Sequence, residues 1–337
     1  MKGRPMIPIA AAGGVEVFAT SGGSISLHGS PYPAHVRGAA IDLHTPGRFG
    51  DDAPSPVDGH IEHIEELQTG VITRFETEQE VQTHIRTNKG LAMVLHCEPF
   101  GVVGDRVRLG HPFGRYLRTG YLSPWSGPHL HVEVRSSMAG HEGEPLELLG
   151  VAETFSTLPS PHHLGDSLEL QIVDSQREFL GVTVSPESVA RLGHLWGLLG
   201  EVGAHARCLV EGDIPWNCYG GIIHPQTPPV VEGDDVRFGT FDLGHVYQPM
   251  RTRSVFSFGE MDYAGIDRYS KGLLYRNLDL YEIPRRRCRV DGHEYLGLTL
   301  GVGIDSDPPL RLVPRHPEPP HFSVGDTVTL SLPQGHD

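Results

Sequence analysis

A chain of 337 residues is longer than a single hydrophobic core usually serves, so two domains are expected. Its 42 acidic residues against 27 basic ones give a formal charge of −15, which argues against nucleic acid or an anionic lipid surface as partner. Apolar residues make up 38% of the chain, and no apolar run approaches the roughly eighteen residues of a membrane-spanning helix, so no span is expected.

At the N-terminus, MKGRPMIPIAAAGGVEVFATSGG has a weakly apolar stretch interrupted by Pro5, Pro8, Gly13 and Gly14 and followed by Glu16, which is not a signal-peptide pattern. A cytoplasmic location is the default expectation, with an extracellular or cell-envelope location left open. Turn residues then recur between short β-branched or alternating runs such as GVITRFE (70–76), EVQTHIR (80–86) and LAMVLH (91–96). The last two are joined by Thr87-Asn88-Lys89-Gly90, where Asn and Gly can take positive φ, so a hairpin is expected there. TFSTLPSPHHLG (154–165) is polar, contains two prolines and reads as a linker.

Beyond the linker, SPESVARLGHLWGLLGEVG (185–203) is the one segment with helical spacing. Ser185 can cap it, Pro186 suits its first turn, and Val189, Leu192, Leu195, Trp196 and Leu199 share a face. A Gly-Asp turn before a strand recurs at Gly104-Asp105, Gly165-Asp166, Gly233-Asp234 and Gly325-Asp326, and EFLGVTV (178–184) is echoed by EYLGLTL (294–300). The four cysteines, Cys97, Cys208, Cys218 and Cys288, form no CxxC pair and read as reduced thiols. The run Arg285-Arg286-Arg287-Cys288-Arg289 reads as a charged strand edge, and Trp216, Tyr219 and Tyr247 read equally as core aromatics or as a binding platform.

The densest chemical signal is SGPHLHVEVR (126–135). Residues two apart in a strand share a face, so His129 and His131 present two imidazoles side by side, an arrangement suited to one metal ligand and one catalytic group. A bare His-x-His is by itself more often a pair of surface histidines. Here it ends the block VVGDRVRLGHPFGRYLRTGYLSPWSGPHLHVEVR (102–135), and upstream lie AHVRGAAIDLHTP (34–46), APSPVDGHIE (53–62) and VLHCEP (94–99). In content and order these segments resemble the lysostaphin and LytM family of zinc peptidases.

The resemblance covers about a third of the chain and implies a Zn2+ ion held by His35, Asp42 and His131, with His96 and His129 as catalytic residues. Two imidazoles and a carboxylate also suit a catalytic zinc site chemically, because a fourth position stays open for water. His35 lies seven residues before Asp42, whereas many members have four, so His44, which shares a strand face with Asp42, stands as the alternative first ligand. The implied activity is that of a zinc metalloendopeptidase acting on a peptide or peptidoglycan-like substrate. A noncatalytic peptidase-like scaffold or binding protein is the alternative.

The expected architecture is mainly β. An N-terminal segment (1–25) precedes an antiparallel β-sheet metallopeptidase domain (26–150), a linker (151–165) and a second β-rich sandwich or barrel domain (166–337) with one short helix.

Overall fold

The computed structural model describes residues 4–28, 33–68, 79–123, 125–140, 142–156, 167–204, 206–214, 219–257, 288–314 and 320–331. Among them the chain is mainly β, with a four-residue helix, Pro33–Val36, and a 3-10 turn, Pro186–Ser188. No helix in the described residues is long and apolar enough to cross a membrane. The run at 70–76, most of the linker, Trp216, Cys218 and the arginines at 285–287 lie outside the described residues.

Six strands of the first half lie side by side and antiparallel in the order Ser24–Ser26, Ala40–His44, His129–Arg135, Leu91–Leu95, Gln79–Arg86 and Gly59–Gln68. The His129–Arg135 strand is in the interior of this sheet, so both its edges are hydrogen-bonded to neighbours, and all of its residues but Arg135 are buried. Leu130, Val132 and Val134 join the core with Ile41 and Val94, and strand alternation sends His129, His131 and Glu133 to the opposite face.

The hairpin expected around Thr87 forms, with Arg86 opposite Leu91. Its turn is closed by the Thr87 hydroxyl, which accepts the amides of Lys89 and Gly90 at 3.1 and 3.0 Å. Neither Asn88 nor Gly90 has a positive φ. Three of the Gly-Asp turns share one geometry: Gly104, Gly233 and Gly325 take φ of 97, 89 and 98°, and the following Asp carboxylate accepts an amide three residues back at 2.8–2.9 Å.

The helix expected over 185–203 is not formed. After the 3-10 turn, Val189–Leu192 and Leu195–Val202 build an antiparallel hairpin, with Gly193 at φ 66° in its two-residue turn. Leu192 and Leu195, three apart as on a helix face, are cross-strand partners over that turn.

The echoed segments flank a single strand. Leu310–Pro314 pairs with Leu180–Val184 on one side, Val182 opposite Leu310, and with His293–Leu300 on the other, Leu298 opposite Leu312. Two cores result. One is drawn wholly from residues 168–330, while the other combines first-half residues with Ala190, Leu192, Leu195, Leu209, Ile223, Val302 and Ile304. Backbone pairing also crosses between the halves, since Ser24–Ser26 pairs with Val302–Ile304, Ile25 opposite Val302.

Candidate metal centre

The helix Pro33–Val36 ends at Gly38, whose φ of 67° suits glycine, and its amide bonds to the His35 carbonyl at 2.9 Å. This tight turn buries His35 completely. The His35 Nδ1–H donates to the Leu27 carbonyl at 2.8 Å, which leaves the Nε2 lone pair facing inward. Asp42 and His131 are register partners on adjacent strands and point to the same face. His35 Nε2, Asp42 Oδ1 and His131 Nδ1 therefore converge, with separations of 3.2, 3.1 and 3.0 Å.

These three residues form the one His/Cys/Asp/Glu group among the described residues whose donor atoms all lie close enough to share a metal ion. A tetrahedral ion with bonds of about 2.0–2.1 Å sets its ligand atoms roughly 3.3 Å apart, so the triangle fits such an ion with little adjustment. The electrostatics agree. Burial alone would lower the His131 pKa, but hydrogen bonds to Asp42 and Glu133 outweigh it and raise the value to about 10, so this point attracts positive charge. Burial opposes ionisation of Asp42 too, yet His35, His129 and His131 together hold its carboxyl well below the usual range.

His131 is oriented from behind. Its Nε2–H donates to Glu133 Oε1 at 3.2 Å, and Arg135 in turn donates to Glu133 Oε2 at 3.1 Å, which turns Nδ1 toward Asp42. The other two sequence-predicted residues stand beside the triangle. His129 Nδ1–H donates to the Gly127 carbonyl at 2.8 Å, and its Nε2 lies 3.8 Å from Asp42 Oδ2. Burial pushes the His129 pKa down to about 4, so the ring is neutral and its Nε2 can accept a proton. His96 has its ring centroid 4.9 Å from that of His129 and 6.0 Å from that of His131.

Glu80 holds His96. One carboxylate oxygen accepts the His96 amide at 2.7 Å and the other accepts Nδ1–H at 2.5 Å, while the Thr119 hydroxyl adds a third bond at 2.7 Å. Glu80 is fully buried, yet despite that burial His96 and Thr119 keep its carboxyl below the usual range. His96 also has φ 65°, a left-handed conformation that costs a non-glycine residue on the order of 1 kcal/mol. His44 stands opposite His129 in the strand pair, with ring centroids 4.6 Å apart, and lies outside the three-atom group.

A cavity of about 300 Å³ opens beside Asp42, His44 and His129. Its far wall comes from the second half, with Asp213, Thr299 and Arg311. Arg311 donates to the Trp125 carbonyl at 2.7 Å, which fixes the loop leading into the His129 strand. Cys97, Cys208 and Cys288 are free and buried, and burial pushes their thiols up, so none is poised as a nucleophile. Sequence reading overlooked Glu80, Thr119, Glu133 and Arg311. Only Glu133 carried a local signal, as the third member of the His129, His131, Glu133 alternation.

A family described as "Domain of unknown function (DUF8155) N-terminal domain" matches residues 16–143. No curated protein matches the chain. Two solved structures are weakly similar. "The antimicrobial peptidase lysostaphin from Staphylococcus simulans" is 12% identical, covers 73% of this chain and 92% of that one, and has a TM-score of 0.24. "NMR solution structure of lysostaphin" is 13% identical, covers 70% and 88%, and has a TM-score of 0.23.

Proposed function

We propose that the chain is a zinc-dependent endopeptidase that hydrolyses a peptide bond in a small-residue, glycine- or alanine-containing peptide of the cell-wall type. The observation that carries this reading is the triangle of His35 Nε2, Asp42 Oδ1 and His131 Nδ1, at 3.0–3.2 Å, with two further imidazoles beside it. Two nitrogens and one oxygen suit zinc and leave a position open. When bound, zinc lowers the pKa of a coordinated water toward about 7 and polarises a carbonyl oxygen.

The protein's own groups supply the proton chemistry. His129 is neutral, held by Gly127, and presents Nε2 as a proton acceptor. His96, oriented by the Glu80 carboxylate, can donate to an oxyanion or to the leaving amine. The cavity of about 300 Å³ is at the small end of ligand pockets, which favours a peptide with small side chains.

Zinc content per chain tests the reading. One equivalent is expected in the wild type, with loss in Asp42→Ala, His131→Ala and His35→Ala and retention in His44→Ala. His129→Ala is expected to keep the metal while hydrolysis of oligoglycine or oligoalanine falls about 10²–10⁴-fold. A wild type that takes up no zinc would sink the proposal, and zinc uptake without hydrolysis of any such peptide would leave a metal-containing binding scaffold.

A further inference from the structure

We propose that Glu211, from the second half of the chain, is a positioning residue for the candidate metal centre, holding the Leu27–His28 backbone that fixes the ring of His35. The inference rests on the metal-binding reading above. Glu211 lies on the Ala206–Ile214 strand and is fully buried, and its Oε2 accepts the Leu27 amide at 3.0 Å. The carbonyl of the same Leu27 receives the His35 Nδ1–H at 2.8 Å, and the His28 Nδ1–H donates to the His35 carbonyl at 3.1 Å. Residues 27–28 and His35 thus form a closed bracket, and a carboxyl group 184 positions away in the sequence anchors its outer edge.

The second half also grips the far end of the ligand segment. Arg253, 2% exposed, donates to the carbonyls of Gly38 and Leu146. Space for Glu211 is reserved by Gly221, its register partner, where an added Cβ would collide with the His28 ring and with Glu211 Oε1. Burial pushes the Glu211 carboxyl up to about 8, and a polar group buried this deeply is costly where an apolar side chain would fill the same volume, so its presence points to the acceptor it provides. What that acceptor does is set the height of the Leu27 carbonyl, and through it the direction of His35 Nε2.

The experiment measures zinc affinity by competition with a chromophoric chelator, thermal unfolding in excess chelator, and hydrogen exchange at the Leu27 amide in zinc-free protein. Glu211→Leu keeps the volume and removes the acceptor; it is expected to weaken zinc about 10–100-fold and to accelerate Leu27 exchange. Glu211→Gln retains an acceptor oxygen and is expected to stay within about threefold of wild type on the same scale. Gly221→Ala displaces the carboxyl group without removing it and is expected to weaken zinc as well, which keeps the test open if Glu211→Leu does not fold. Val210→Ala, on the same strand but in the second core, is expected to lower the unfolding midpoint with zinc affinity unchanged. The proposal is overturned if folded Glu211→Leu and Gly221→Ala bind zinc as wild type does, or if Val210→Ala loses zinc to the same extent. Wild type that binds no zinc would remove the metal-binding reading as well, whereas wild-type binding with unaffected variants removes this inference alone.

Discussion

Asp213 is 5% exposed, and its pKa is pushed up to about 7 by burial, far above a free aspartate. Between pH 4 and 7 the folded chain keeps a proton here that the unfolded chain has already lost. Stability is therefore undiminished below pH 4 and falls as the pH rises through 7. Asp213→Asn stays neutral throughout, so its unfolding free energy relative to wild type is expected to improve by at most about 4 kcal/mol between pH 4 and 8, read by denaturant titration. A gap that does not change with pH would show that the charge is accommodated at no cost. The candidate residues themselves were legible because each sits in a short segment with its own pattern: His129 and His131 alternate, Asp42 interrupts the apolar run of Ala40–His44, and His96 follows the apolar strand Leu91–Leu95. Their supports were not. Glu80 acts on a residue 16 positions away and Glu211 on one 184 away, and no local pattern distinguishes such a carboxylate from a solvated one.

The same contrast runs through the elements. The 79–95 hairpin was legible because two alternating runs meet at a polar turn, although the turn is closed by the Thr87 hydroxyl and not by positive φ. The 185–203 segment was misread because a two-residue turn shifts the phase of alternation. Leucines on either side of it come to lie three apart, as on a helix, while facing each other across a hairpin. Gly193 makes that turn feasible, and a Cβ there would also meet the Gly150 carbonyl. Gly193→Ala is accordingly expected to lower unfolding free energy by about 2 kcal/mol or more, since the left-handed backbone alone costs roughly 1–2 kcal/mol. A change within about 0.5 kcal/mol, the usual scatter of neutral surface substitutions, would contradict this account of the turn.

For the whole molecule, the linker-like composition of 154–165 suggests a clean division that the cores do not respect. The first core takes in Leu195, Val302 and Ile304, and Ile25 pairs directly with Val302. A fragment ending at residue 156 would leave these contacts bare along with the Leu27 anchor. It is expected to show no zinc uptake in the chelator competition; a soluble fragment with wild-type affinity would show that the first half is self-sufficient. The pairing of Ile25 with Val302 also bears on synthesis. The strand carrying Asp42 is lined on one side by Ser24–Ser26, and that strand waits for a partner made about 280 residues later. Contacts so distant in sequence form slowly and late. A nascent chain holds every candidate ligand once His131 has emerged from the ribosome, yet it cannot close the surrounding sheet until residue 304 follows, so the site is expected to mature only after about 170 further residues have been translated.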